Sequence, residues 1–181
     1  MAESWIGDVL RFWFVELPPP AWFSGDASTD ALIRMRFLAL HEELRRGLPP
    51  CALMAPEPAL ATVIALDQFP RNLYRGHAEA YAADALALAA AERAVGLGFD
   101  RAYDTTHRHF FYLPFMHAED RAMQARSVEL CAALGDDEVL GYAQRHREIV
   151  DRFGRFPHRN AILGRTTTPE ETEFLKAGRG F

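Results

Sequence analysis

The chain has 181 residues, is 49% hydrophobic and carries a formal net charge of −5, which suits one well-buried core and argues against a basic nucleic-acid footprint. No window approaches the roughly 18 uninterrupted apolar residues of a membrane span, and the N-terminus lacks the basic, apolar, small-residue order of a secretory leader. The two cysteines, Cys51 and Cys131, form no CxxC pair, so the expectation is a cytoplasmic single domain over residues 1–181 with reduced core thiols and no membrane partner.

In chain order, Ser4 precedes "WIGDVLRFWF", whose apolar residues recur at helical spacing until Pro18-Pro19-Pro20 stops the run. Ser28 or Thr29 can cap a second helix, "DALIRMRFLALHEELRR", with Leu32, Ile33, Phe37, Leu40 and Leu44 on one stripe and Gly47 at its end. The proline-rich "LPPCALMAPEP" reads as a loop, and "ALATVIALDQF" as a third helix ended by Pro70. An alanine-rich fourth helix runs from about Ala78 to Gly96 and should pack closely against its neighbours. "TTHRHFFYL" and "FMHAEDRAMQARSVELCAAL" are expected as one helix bent at Pro114 or two short ones. After Gly135-Asp136-Asp137 comes "EVLGYAQRHREIVDRF", terminated by Gly154 and Pro157, and Thr168-Pro169-Glu170-Glu171 has the capping-box arrangement before a short last helix. No segment alternates with period two. The fold class is therefore all-α: antiparallel helix pairs, in either a curved stack or an irregular bundle.

Arginine dominates the basic residues, Lys176 being the only lysine, and arginines crowd the segment from Arg145 to Arg165. Two stretches resemble one another: "LDQFPRNLYRG" at 66–76 and "RFGRFPHRNAILGR" at 152–165. Both read as proline-broken helix ends, and the expectation is of equivalent ends in two halves of a stack. One role for Arg71, Asn72, Arg159 and Asn160 is to bond the last carbonyls of those helices, with Phe69 and Phe156 as core plugs. The other is to converge with Arg75, Arg155 and Arg165 on a pocket that holds a carboxylate or phosphate. Asp67, four residues before Arg71, is expected in a buried ion-pair network.

"HRHFFYLPFMHAEDRAMQ" gathers His107, His109, His117, Glu119 and Asp120. Only His117 and Asp120 share a helix face by spacing, too few ligands for a closed metal site, so no metal or cofactor is expected. The HAE at 117–119 lacks the Pro-Cys-x-x-Cys half of a zinc deaminase, and no HExxH, GxSxG, Walker loop or full dinucleotide fingerprint is present.

"LDQFPRN", "FYLPFMHAED" and "RFGRFPHRNAILGRTTTPEETEFL" resemble the bacterial family known as domain of unknown function 924, over most of the chain from "VLRFWF" to "EFL". That resemblance implies an all-α fold similar to tetratricopeptide-like stacks and implies no activity. The pattern it resembles has serine where this chain has Ala118, and serine within the segment matched here by Thr167.

The leading functional expectation is a groove in which Arg71, Asn72, Arg155, His158, Arg159, Asn160 and Arg165, bordered by Tyr112, His117 and Glu119, hold an anionic small molecule or acidic peptide. A different expectation is a small hydrolase-like enzyme using His117, Glu119 or His158 as acid–base groups beside the same arginines. A third is a homodimer whose surface exposes Trp5, Trp13, Trp22 and Phe23.

Overall fold

The structure, a computed structural model, describes residues 4–178. Helices α1 (Ser4–Arg11), α2 (Ala27–Arg46), α3 (Pro56–Val63), α4 (Phe69–Leu73), α5 (Asp84–Gly96), α6 (Thr105–His117), α7 (Arg121–Ala132), α8 (Asp137–Phe153) and α9 (Pro169–Lys176) carry the fold. No strand occurs among the described residues, and no helix there is long and apolar enough to cross a membrane. α3 is the hub, packed against α1, α5 and α6, while α2 lies along α4. α6, α7 and α8 follow in sequence, each against the next, and their short connections make neighbours antiparallel. Ala87, Ala90, Ala91 and Ala94 of α5 are buried, as expected of a helix whose small side chains allow close approach.

Proline acts differently from the expectation. Pro70 does not end the third helix. Between α3 and α4 the chain makes a π-helical turn, Ile64–Gln68, in which Phe69 N–H donates to the Ile64 carbonyl, so the helical path continues through Pro70 to Leu73. The physical reason lies in the missing donor. Once Phe69 bonds Ile64, the Ala65 carbonyl would next look to residue 70, which has no N–H. His41 Nδ1–H supplies the bond instead, at 2.9 Å. The same device appears before Pro18: in the π-helical turn Phe12–Glu16, Leu17 N–H donates to the Phe12 carbonyl, and the stranded Trp13 carbonyl accepts from Trp22 Nε1 at 2.7 Å. Trp22→Phe keeps an aromatic side chain, though a smaller one, and deletes that donor. It is expected to cost about 1–2 kcal/mol, read as a lowered urea midpoint with unchanged slope.

Further boundaries differ. α6 runs through Pro114 and stops at His117, so the break lies at 118–120 rather than at the proline. Asp26, not Ser28 or Thr29, caps α2 by accepting from Thr29 N–H. Residues 78–81 form a 3₁₀ turn, and α5 begins only at Asp84. The two resembling stretches are not equivalent helix ends: Phe69-Pro70-Arg71-Asn72 lies within α4, whereas Phe156 is extended and Pro157–Arg159 is a 3₁₀ turn beyond the left-handed Gly154. Trp13 is fully buried in the core, and Trp5 and Trp22 pack partly buried against it, so of the aromatics expected on a dimer surface Phe23 alone is well exposed, at 62%.

Candidate functional site

Arg71 and Arg159, 88 residues apart, meet on one carboxylate. Asp84, the first residue of α5, takes Arg71 Nη1 on Oδ1 at 3.1 Å and Arg159 Nη1 on Oδ2 at 3.2 Å. Asp67, inside the π-helical turn and 1% exposed, accepts from His117 Nδ1 at 2.8 Å on Oδ1 and from Gln68 Nε2 on Oδ2. Arg71 Nη2 is 3.5 Å from the same Oδ1, and its Nη1 also donates to the Asp67 carbonyl. Arg159 Nη2 completes a ring of contacts by donating to the His117 carbonyl at 3.1 Å, which satisfies the end of α6. The Arg159 guanidinium lies 4.6 Å from the ring centroids of both Tyr81 and Phe156, a placement that favours a weakly hydrated cation.

Burial works to raise the Asp67 carboxyl, but the Arg71 guanidinium, the His117 ring and the Gln68 amide outweigh it and hold it well below the usual carboxylate range. For His117, burial and the neighbouring Arg71 charge push the ring below its ordinary value despite Asp67. The imidazole is therefore neutral at pH 7. Because a carboxylate only accepts, the proton sits on Nδ1, and Nε2, which makes no hydrogen bond among the described residues, keeps its lone pair.

Beside this ring lies a cavity of about 430 Å³. Ala82, Ala85 and Leu88 with Leu163 form an apolar wall, and His117, Arg159, Asp84, Glu119 and Asp120 supply the polar groups. Arg159 and Leu163 reach the cavity from the segment 154–168, which two carboxylates pin down. Glu119 takes Arg165 on both oxygens, at 2.6 and 2.9 Å, and the Phe156 N–H at 2.7 Å. Burial would raise its carboxyl, yet Arg165 and the Phe156 N–H hold it down. Glu171, 2% exposed, takes Arg155 Nε and Nη2 at 2.7 and 2.9 Å, Asn160 Nδ2 at 3.2 Å and the Thr168 N–H at 2.7 Å. The Arg155 fork is the main reason that Glu171 falls to about 2.

Of the residues singled out from the sequence, the structure brings Arg71, His117, Glu119 and Arg159 together, with Asp67 behind them and Arg165 holding Glu119. It places the others elsewhere. Asn72 donates to Asp30, which Arg75 also grips through Nε and Nη2 at 2.8 Å each. Asn160 and Arg155 belong to the Glu171 cluster. Tyr112 donates to Asp100 at 2.6 Å and is pushed up to about 12, by burial first and that bond second. His158 lies with its ring tilted at 5.7 Å from Phe156 and is not among the residues lining the cavity. Each guanidinium expected to await an external anion thus lies against a carboxylate of the chain itself. Asp84, Tyr81 and Gln68 were not legible as site residues: reading the helix from Ala78 hides Asp84 in mid-helix, and no local pattern marks a carboxylate shared by two distant arginines. No group of three or more metal-ligating side chains gathers among the described residues.

The family model described as bacterial protein of unknown function (DUF924) matches residues 9–179. The chain is also similar to the solved structure of a protein of unknown function from Agrobacterium tumefaciens, 46% identical, with a TM-score of 0.91 over 96% of this chain and 97% of that one. No curated protein matches the chain.

Proposed function

We propose that this chain, which belongs to the bacterial DUF924 family, acts on a small molecule by acid–base chemistry in the cavity beside α5, with His117 as the base and Asp67 as the group that orients it. One observation carries this reading: the 2.8 Å contact between His117 Nδ1 and a buried carboxylate, which leaves Nε2 as an unpaired lone pair on a ring that lines the cavity. A carboxylate behind an imidazole fixes its tautomer and stabilises the cation formed when Nε2 takes a proton. Arg71 opposes that cation in the resting protein, so the base is neutral and ready at pH 7.

The alternative of a pure anion-binding groove is less favoured, because Asp67 and Asp84 already balance Arg71 and Arg159, and Glu119 balances Arg165. A reduced, cytoplasmic setting fits the two free cysteines. The experiment is a histidine ¹⁵N NMR titration of the intact protein. His117 should report protonated Nδ1 and unprotonated Nε2 at pH 7 and should titrate below the ordinary histidine range, and Asp67→Asn should scramble that tautomer. A ring that titrates like free imidazole and ignores Asp67→Asn would overturn the reading.

A further inference from the structure

We infer that the outward face of α2 seats a second copy of this chain, two protomers pairing through antiparallel α2 helices about a two-fold axis at Met35. No residue of α2 lines the cavity beside His117, so the inference stands apart from the acid–base reading.

Three observations converge. The first is an apolar stripe on the solvent side. α2 buries Ile33, Phe37, His41 and Leu44, while Ala31, Leu32, Met35 and Ala39 on its other side are exposed, Met35 at 74% and Leu32 at 42%. These four recur at helical spacing, as a packing stripe does. The second is symmetry in the sequence. From Ala31 to Ala39 the helix reads Ala-Leu-Ile-Arg-Met-Arg-Phe-Leu-Ala, so alanine, leucine and arginine each stand at equal distances to either side of Met35. A two-fold axis through Met35 sets Ala31 level with the partner's Ala39 and Leu32 level with the partner's Leu38, and such a surface meets its own inverted image with matching groups. Alanine on both flanks lets the helix axes approach to about 8 Å. Arg34 and Arg36 do not crowd the axis, since Arg34 turns to the Leu73 carbonyl and Arg36 to Glu16.

The third is charge. Asp26 caps the start of α2 and Arg46 stands in its last turn, and neither has an ion-pair partner among the described residues. Reversing one helix against the other brings Arg46 of each copy toward the partner's Asp26. The offset along the axis is two residues, about 3 Å, which an arginine side chain spans. The two helix dipoles then run antiparallel, which is their favourable arrangement. α2 has 20 residues and is about 30 Å long, so one such helix pair forms an interface below about 1,200 Å², in the class of weak, reversible contacts, with an expected Kd of about 10–100 µM.

The test is sedimentation equilibrium of the full chain from about 5 to about 500 µM, which should show monomer and dimer in that Kd range. Met35→Asp, which sets like charges face to face on the axis, should raise the Kd at least about tenfold. Arg46→Glu, which opposes like charges at each rim, should raise it about threefold, less at high salt. A second measurement needs no disruptive substitution. Met35→Cys stands opposite its own counterpart on the axis and should link to a covalent dimer under mild oxidation. Leu97→Cys, at a 53% exposed position beyond the end of α5, should stay at the background that Cys51 and Cys131 set in the unaltered protein. A single monomer mass up to about 500 µM would overturn the inference, leaving the stripe bare or to a different partner. A dimer that tolerates Met35→Asp, or that links through Leu97→Cys as fast as through Met35→Cys, would overturn it by placing the contact elsewhere.

Discussion

Asp67→Ala should lower the free energy of unfolding at pH 7 by roughly 3–5 kcal/mol, the cost of removing one member from a buried charged network. With stabilities of ordinary domains near 5–15 kcal/mol, that is a third or more of the total. The mechanism is local: Asp67 is 1% exposed, accepts two hydrogen bonds and pairs with the Arg71 guanidinium. Without it, His117 Nδ1–H and Gln68 Nε2 lose that acceptor, and Asp84 is the one carboxylate left beside Arg71. Asp67→Asn keeps an oxygen for one of those donors and should cost less. The linkage sign follows from the carboxyl being held below its unfolded value near 3.9. A depressed acid contributes its stability in full above that pH and loses it as pH falls toward the folded value, so the deficit of the variant should be full at pH 7 and shrink in strong acid. Urea unfolding followed by circular dichroism at pH 7 measures the full deficit, and an unchanged midpoint there would mean that the network adds nothing. A cycle with Arg71→Met should show strong coupling, because the guanidinium and the carboxylate are each other's partner.

The helical class was readable because apolar spacing and caps are local properties. Thr168 and Glu171 form the expected capping box, and the alanines of α5 bury as their size predicts. Proline misled the reading at 70 and 114, since the rule that proline stops a helix assumes that the lost bond has no substitute. Here His41, 24 residues away from Ala65, provides one, and no window of the sequence contains both. The meeting of Arg71 and Arg159 was anticipated from two similar stretches, yet for an incorrect reason: they are not matched helix ends, and what joins them is Asp84, a residue in neither stretch. The asparagines beside those arginines show how little the local pattern determines, for Asn72 turns to Asp30 and Asn160 to Glu171. Electrostatic pairing depends on tertiary distance, and a chain read in one dimension displays charges without their partners.

Histidines impose an acid limit on this fold. Burial pushes His109 and His158 down to about 4 and His146 to about 3. For His109 and His146 the nearby His117 adds to the effect, and for His158 the Arg159 charge does. In the unfolded chain each titrates near 6.5, so below that pH the unfolded state binds protons that the folded state refuses, and stability falls as pH falls. Taken at full strength each ring would cost roughly 3–5 kcal/mol to protonate in place. All three retain some solvent contact, which screens the penalty, and about half of the sum, roughly 5 kcal/mol, is the expected loss between pH 6.5 and pH 4. That matches the lower end of ordinary domain stability, so the protein should unfold with a midpoint between about pH 4 and 5. The depressed carboxylates do not share this window, since Glu171 falls to about 2 and Asp67 is held low as well; their losses begin below about pH 4. Ellipticity at 222 nm against pH measures the midpoint. His146→Phe, which replaces a proton acceptor lying 5.6 Å from Phe156 with an apolar ring, should move that midpoint to lower pH, whereas equal melting temperatures for the unaltered protein at pH 5 and pH 7 would show that these rings accept protons without disturbing the fold.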